Sequence, residues 1–292
     1  MTEAPLVAGL GTLAPRYDAF LLDQFGVLHD GTSPYPGVLP CLEALQAAGK
    51  RVIVLSNSGT RQQPNVERMA RIGIPPTLYA EIVTSGEIAR GLLASPPPEL
   101  RRRHGQGPLR CLPLGESAHA LLAGLDITVA EQAAEADFLL LAGLGLDPPP
   151  RSAFAAVFAD ACERGLTLVC ANPDVKGVSA AGLILAPGAL AADYEAMGGR
   201  VVYIGKPYPL IYRHVLEKLA PLPPARVLAV GDSLAHDIAG ARGAGLASAF
   251  VIGGIHEDDL GDPEDRDFRG RLAELERREG ARPDYLLRRL TW

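Results

Sequence analysis

At 292 residues, 48% of them apolar, the chain can bury one large domain or a core carrying an inserted one, and bulk disorder is excluded. The formal charge of −6, with no basic stripe, excludes the electrostatic footprint of a nucleic-acid binder. The longest apolar run, Phe138 to Leu146, is far too short to span a bilayer, and the acidic start is unlike a signal peptide, so a soluble cytoplasmic protein is expected. Cys41, Cys111, Cys162 and Cys170 have no paired spacing, and three of them sit in apolar or helical context as small core residues. The basic run Arg101-Arg102-Arg103-His104, beside a proline-rich turn, is expected to be a solvated loop face.

Along the chain, short apolar runs alternate with longer amphipathic stretches, the pattern of β-α-β units around a parallel sheet. A strand over residues 19–22 is followed by a helix over 37–48, a strand over 51–55 and a helix over 64–72. Residues 86–200 then carry a rhythm of their own, with strands at 138–141 and 167–171 around a helix at 152–163. The first pattern resumes with strands over 201–204, 226–230 and 248–252, separated by helices over 209–220 and 238–243. A charged amphipathic helix over 267–280 and an edge strand at 284–287 close the chain. An α/β fold is expected, with core segments 1–85 and 201–292 and an inserted domain at 86–200.

Four of these strands run into polar signatures: Asp23, Ser56-Asn57-Ser58, Gly205-Lys206-Pro207 and Gly231-Asp232-Ser233. In an open parallel sheet, ligands bind beyond the carboxyl ends of the strands, so these signatures are expected to meet in one crevice. There the Asp23 carboxylate can attack phosphorus, dividing one difficult hydrolysis into two easier steps. Ser56 and neighbouring backbone amides can hold phosphoryl oxygens, while Lys206 brings a point cation to the charge that develops during transfer. Asp232 and Asp237 offer the hard oxygen ligands that magnesium prefers. Singly, each signature is also an ordinary turn or helix cap. Their order, each at a strand end, carries the reading. The chain has no phosphate-binding G-x-x-x-x-G-K-[ST] loop and no G-x-S-x-G elbow. Gly9-Leu10-Gly11 precedes the first strand and lacks a third glycine, which leaves it no dinucleotide role.

These motifs resemble the haloacid dehalogenase-like (HAD) hydrolase superfamily from Asp23 to about Gly254. The position of the insert is similar to class IIA, the branch of sugar-phosphate, p-nitrophenyl-phosphate and pyridoxal-phosphate phosphatases. Val83-Thr84-Ser85 looks like that branch's entry to the cap, Cys170-Ala171-Asn172-Pro173-Asp174 resembles its Asn-Pro-Asp signature, and Pro187-Gly188-Ala189-Leu190 is similar to its cap exit. The resemblance implies a three-layer Rossmann-like core with an inserted α/β cap, and a magnesium-dependent phosphatase of small phosphorylated metabolites, sugar phosphates among them. It implies an aspartyl-phosphate on Asp23, with Ser56 and Lys206 catalytic. Phosphate and substrate would be held by Phe25, Gly26, Ser56, Asn57 and Lys206, with Asn172 and Asp174 selecting the leaving group. Magnesium would be held by Asp23, the Phe25 carbonyl, Asp232 and Asp237. A homodimer through the cap is the assembly common in that branch, and neither nucleic acid nor membrane is an expected partner.

One position departs from the pattern. Family phosphatases carry an acid–base aspartate two residues after the nucleophile, and here that residue is Phe25. Such help is typically worth ~10²–10⁴ in rate. Three readings stay open: a phosphatase using another acid (His29 and Asp30 are nearest in sequence) or a good leaving group; a dehalogenase-type hydrolase, which shares the aromatic but has no use for Asp232 and Asp237; and a weakly active or inactive relative that binds a phosphorylated ligand. Within the metal motif His236 is expected to face solvent, and His256-Glu257-Asp258-Asp259 to be a solvated loop.

Overall fold

The computed structural model describes residues 3–100, 107–145, 147–179 and 182–292; the basic run at 101–104 lies outside them. In chain order the strands are β1 (Ala19–Leu22), β2 (Arg51–Ser56), β3 (Glu81–Thr84), β4 (Leu109–Leu114), β5 (Ile127–Val129), β6 (Phe138–Leu141) and β7 (Thr167–Cys170). They continue with β8 (Lys176–Ser179), β9 (Gly182–Leu185), β10 (Arg200–Tyr203), β11 (Val227–Gly231), β12 (Ala247–Val251) and β13 (Tyr285–Leu287). The chain divides into two compact units, one of Met1–Ser56, Asn65–Val83 and Lys206–Trp292, the other of Asn57–Pro64 and Thr84–Gly205.

The first unit is built on a six-stranded sheet in the order β13-β12-β11-β1-β2-β3. Every residue of β1 is buried, as expected for a parallel strand covered on both faces. Along β12 the side chains alternate, Ala249 and Val251 joining one apolar cluster with Phe20, Leu22 and Leu228. Phe250 joins another, with Leu234, Ile238, Phe268 and Leu272. The closing helix is Phe268–Glu279, and β13 is the edge strand expected near 284–287.

A parallel five-stranded sheet, β10-β7-β6-β4-β5, forms the second unit, with β8 and β9 as an antiparallel hairpin. Its core gathers Leu139, Leu141, Phe158, Leu168 and Tyr194, whose hydroxyl donates to the Leu166 carbonyl at 2.8 Å. Residues 57–64 travel with this unit: Thr84 Oγ1 donates to the Thr60 carbonyl (2.8 Å), Gly86 N to the Ser58 carbonyl (3.0 Å), and Arg61 forks onto Glu87 at 3.0 Å through each of two nitrogens.

One expectation is corrected. The strand near 201–204 does not extend the sheet of Asp23; it is β10, at the edge of the five-stranded sheet, paired with β7 from Arg200↔Thr167 to Tyr203↔Cys170. The six-stranded sheet takes its last strand from Glu81–Thr84, a stretch that reads in sequence only as the lead into the insert. An apolar run declares that it will pair, but its partner is set by tertiary packing.

Candidate active site

Strands β2, β1 and β11 are in register at Val54, Leu22 and Val230, so Ser56, Asp23 and Asp232 emerge from one edge of the sheet. Asp23 is fixed there by its own amide, which donates to the Val230 carbonyl at 2.9 Å. Asp237 arrives on a π-helical turn, Leu234–Ile238, in which the amides of Asp237 and Ile238 both reach the Ser233 carbonyl (2.9 and 3.2 Å). Such one-turn widenings recur at functional sites because the extra residue re-aims a side chain. Here it turns the carboxylate back onto the Ser233 amide, which donates to Asp237 Oδ2 at 3.1 Å.

Lys206, 3% exposed, places Nζ between two of these acids, 2.5 Å from Asp23 Oδ1 and 2.7 Å from Asp237 Oδ1. One carboxylate oxygen from each of Asp23, Asp232 and Asp237 lies within 4.8 Å of the others. Burial pushes the Asp23 carboxyl up to about 7; Lys206 works against that shift and Asp237 with it. Asp232 is raised well above the ordinary carboxylate range, first by burial and then by Asp23 and Asp237. Burial disfavours the charge on Lys206, but Asp23 and Asp237 outweigh it and hold its pKa above the usual lysine value. Three crowded carboxylates facing one ammonium leave an excess of negative charge among hard oxygen donors, the setting a small dication fits.

Three glycines make this crowding possible. A Cβ on Gly26 or Gly254 would overlap the Asp232 side chain, and one on Gly231 would overlap Asp237. Gly26 also sits at φ +82°. Gly26→Ala is therefore expected to cost ~1–2 kcal/mol from its backbone alone and to displace Asp232 besides. Urea unfolding checks the first effect, and a variant as stable as the parent would contradict it. Two further groups carry no legible signal in sequence. The Ile255 amide donates to Asp232 Oδ2 at 2.8 Å. Buried Tyr212 donates its hydroxyl toward the carbonyls of His236 (3.5 Å) and Asp237 (3.4 Å).

Phe25 is half-buried, its ring edge-on to His29 with centroids 5.6 Å apart and planes at 82°. His29 is fully buried and Nδ1 accepts the Gly31 amide at 2.9 Å; burial, then Arg68, push its pKa down to about 4, with Asp30 opposing. Exposed Asp30 accepts the amides of Ser33 (2.8 Å) and Thr32 (2.7 Å) and the Thr32 hydroxyl (2.7 Å), the Ser33 amide leading in lowering its pKa to about 2. At neutral pH Asp30 is ionised and His29 is a neutral imidazole whose single proton, on Nε2, is only weakly acidic, so both are poor general acids.

Ser56 belongs to the first unit and is buried, whereas Asn57, Asn172 and Asp174 belong to the second. There Asn57 Nδ2 donates to Asp174 Oδ1 at 2.7 Å, and the Asp174 amide donates to Asn172 Oδ1 at 2.9 Å, so Asn-Pro-Asp forms a turn tied to the segment after β2. His236 does not simply face solvent; it is half-buried, with Nδ1 3.1 Å from Ser233 Oγ. In the acidic run at 256–259, Glu257 pairs with Arg289 at 2.8 Å.

Family profiles described as haloacid dehalogenase-like hydrolase match residues 20–123 and 99–245, and one described as HAD-hydrolase-like matches residues 203–291. The chain belongs to the haloacid dehalogenase-like hydrolases. Mouse chronophin is 29% identical over 264 residues, 85% of each chain. Ribonucleotide monophosphatase NagD of Escherichia coli K12 is 27% identical over 252 residues, 82% of this chain and 90% of that protein. A crystal structure of a haloacid dehalogenase-like hydrolase from Brucella suis 1330 superposes with a TM-score of 0.79 at 30% identity, covering 98% of this chain and 100% of the other. This HAD hydrolase therefore lies in class IIA, with the parallel-sheet core that its motifs implied. Among its described residues, no helix is long and apolar enough to cross a membrane.

Proposed function

We propose that this HAD hydrolase is a magnesium-dependent phosphatase of small phosphorylated metabolites, working through an aspartyl-phosphate on Asp23. The observation that carries the proposal is the Asp23–Lys206–Asp237 arrangement with Asp232 beside it: a carboxylate steered by a buried ammonium, within a carboxylate cluster that fits a dication. Asp23, the Phe25 carbonyl, Asp232 and Asp237 would hold the magnesium. When bound, the ion supplies charge neutralisation, letting an anionic nucleophile approach an anionic phosphate. Asp23 attacks phosphorus, forming an O–P bond as the ester P–O bond breaks; water then cleaves the aspartyl-phosphate and releases phosphate. Ser56 and Lys206 hold the equatorial oxygens, with the Gly26 amide and Asn57 assigned to the phosphate-binding set. With Phe25 at the acid–base position, the departing oxygen takes its proton from solvent. The second unit is assigned as the inserted cap, with Asn172 and Asp174 selecting the leaving group. A ribonucleotide monophosphatase among the relatives supports a small phosphomonoester, as sugar phosphates also are. Four free thiols are consistent with a cytoplasmic setting.

A panel of phosphate esters, assayed with and without magnesium, tests the proposal. Magnesium-dependent release of phosphate is the expected result. Phe25 at the acid–base position, beside a neutral His29 and an ionised Asp30, favours a second reading in which the protein binds a phosphorylated ligand with little turnover. Binding without turnover across the panel would establish it.

The metal assignment has its own test. In calorimetric titration, Asp232→Asn is expected to weaken magnesium binding by more than the ~10–100-fold typical of losing an outer-shell partner. Unchanged binding in that variant, or an ion located at residues 256–259, would remove Asp232 from the site.

A further inference from the structure

The loop that holds Asp232 is itself gripped by the end of the chain. We infer that Arg289 is a positioning residue for Asp232, acting through the backbone from Gly253 to Ile255. The inference rests on the proposed magnesium site.

Asp232 Oδ2 takes its backbone hydrogen bond from Ile255 (2.8 Å), and a Cβ on Gly254 would overlap its side chain, so this loop lies directly on the carboxylate. On its other side the loop meets the tail that follows β13. The Ile252 amide donates to the Leu287 carbonyl (2.9 Å) and the Gly253 amide to the Arg288 carbonyl (3.0 Å). Arg289 Nη1 donates to the Gly253 carbonyl, and a Cβ at Gly253 would lie 2.8 Å from the guanidinium carbon. The same guanidinium sends Nη2 to both oxygens of Glu257, at 2.8 Å each, and stands 4.8 Å from the centroid of the Tyr35 ring. Tyr35 in turn ties back to the turn after Asp23, its amide donating to the Leu28 carbonyl at 3.1 Å. One planar cation thus joins the Asp232 loop, the short helix Glu257–Leu260 and the segment that follows Asp23. Only a rigid fork with several donors and a stackable face can make all three contacts together.

The tail is a firm base for this grip. The Leu10 amide donates to the Thr291 carbonyl at 2.8 Å. An added Cβ at Gly9 would run into the Trp292 backbone and one at Gly37 into Thr291, while one at Gly11 would press on the Trp292 side chain at 3.2 Å. The glycine at 9 therefore makes room for the Trp292 backbone. An exposed arginine–glutamate pair contributes little stability by itself, and Arg289 is 32% exposed. Its consequence is geometric: it sets the loop that aims the Asp232 carboxylate.

The test measures magnesium affinity of substrate-free protein by calorimetry, together with hydrogen exchange at the Ile255 amide and the melting temperature. Arg289→Ala is expected to bind magnesium ~10-fold or more weakly, the usual cost of losing an outer-shell partner, with faster exchange at Ile255. Arg289→Lys keeps a donor for Gly253 but not the fork, and should lose less. A lower melting temperature with wild-type magnesium affinity in Arg289→Ala would show a merely structural role and overturn the inference. If the alanine variant does not fold, Glu257→Gln leaves the arginine in place and loosens it; a smaller loss of affinity is expected, and none would overturn the inference. Wild-type protein that itself binds no magnesium would overturn the metal assignment and this inference with it, an outcome visible before any variant is made.

Discussion

Asp23→Asn is expected to remain folded while turnover falls by on the order of 10³-fold or more, as when other enzymes lose a covalent nucleophile. The amide retains the shape of the carboxylate, and Lys206 keeps Asp237 as a partner at 2.7 Å. Removing one of three crowded carboxylates also relieves repulsion on Asp232, so without metal the variant should melt no lower than the parent. Rates on an aryl phosphate and a thermal melt of metal-free protein measure both effects. Beryllofluoride, which mimics a phosphoryl group on a carboxylate, should bind the parent and not the variant. Turnover within a few-fold of wild type would remove Asp23 from the mechanism.

Phe25→Asp is expected to raise the rate on alkyl phosphates by ~10²-fold, the lower end of general acid–base catalysis. In the wild type, neutral His29 and ionised Asp30 are both poor donors to a departing oxygen near pH 7. An aryl phosphate, whose leaving group needs little protonation, should then react much faster than an alkyl one, and the substitution should narrow the gap. It carries a structural cost. The Phe25 ring packs edge-on against His29, a contact worth ~0.5–1.5 kcal/mol beyond area burial, so stability should fall by about 1 kcal/mol. Rates on matched aryl and alkyl esters, with urea unfolding alongside, separate gain from loss. Equal wild-type rates on the two classes would mean that another residue supplies the proton.

Much of the core was legible because its signals are local. The continuous apolar run of β1, the helix that begins with Pro209 and the alternation in β12 each follow from neighbouring residues alone. Asp23, Ser56 and Asp232 were legible because a polar residue at the end of a buried strand is conspicuous in sequence. Other features depend on contacts between distant segments. The strand at 200–203 carries the same apolar signal as those of the first sheet, yet packing gives it to the other, so Lys206 does not extend from a strand of the sheet that bears Asp23.

By itself the sequence determined the parallel α/β class, the family and the residue types of the site, because periodicity, strand ends and motif spacing are properties of contiguous chain. Only the tertiary structure decided which strand joined which sheet, how three carboxylates crowd one buried lysine, and why Gly26, Gly231 and Gly254 must lack a side chain. It also made His29 and Asp30 poor general acids, through burial in one case and a loop of amide donors in the other. The physical reason is the same throughout: desolvation, charge–charge coupling and steric overlap depend on distances between residues far apart in the chain, and those distances exist only once it has folded.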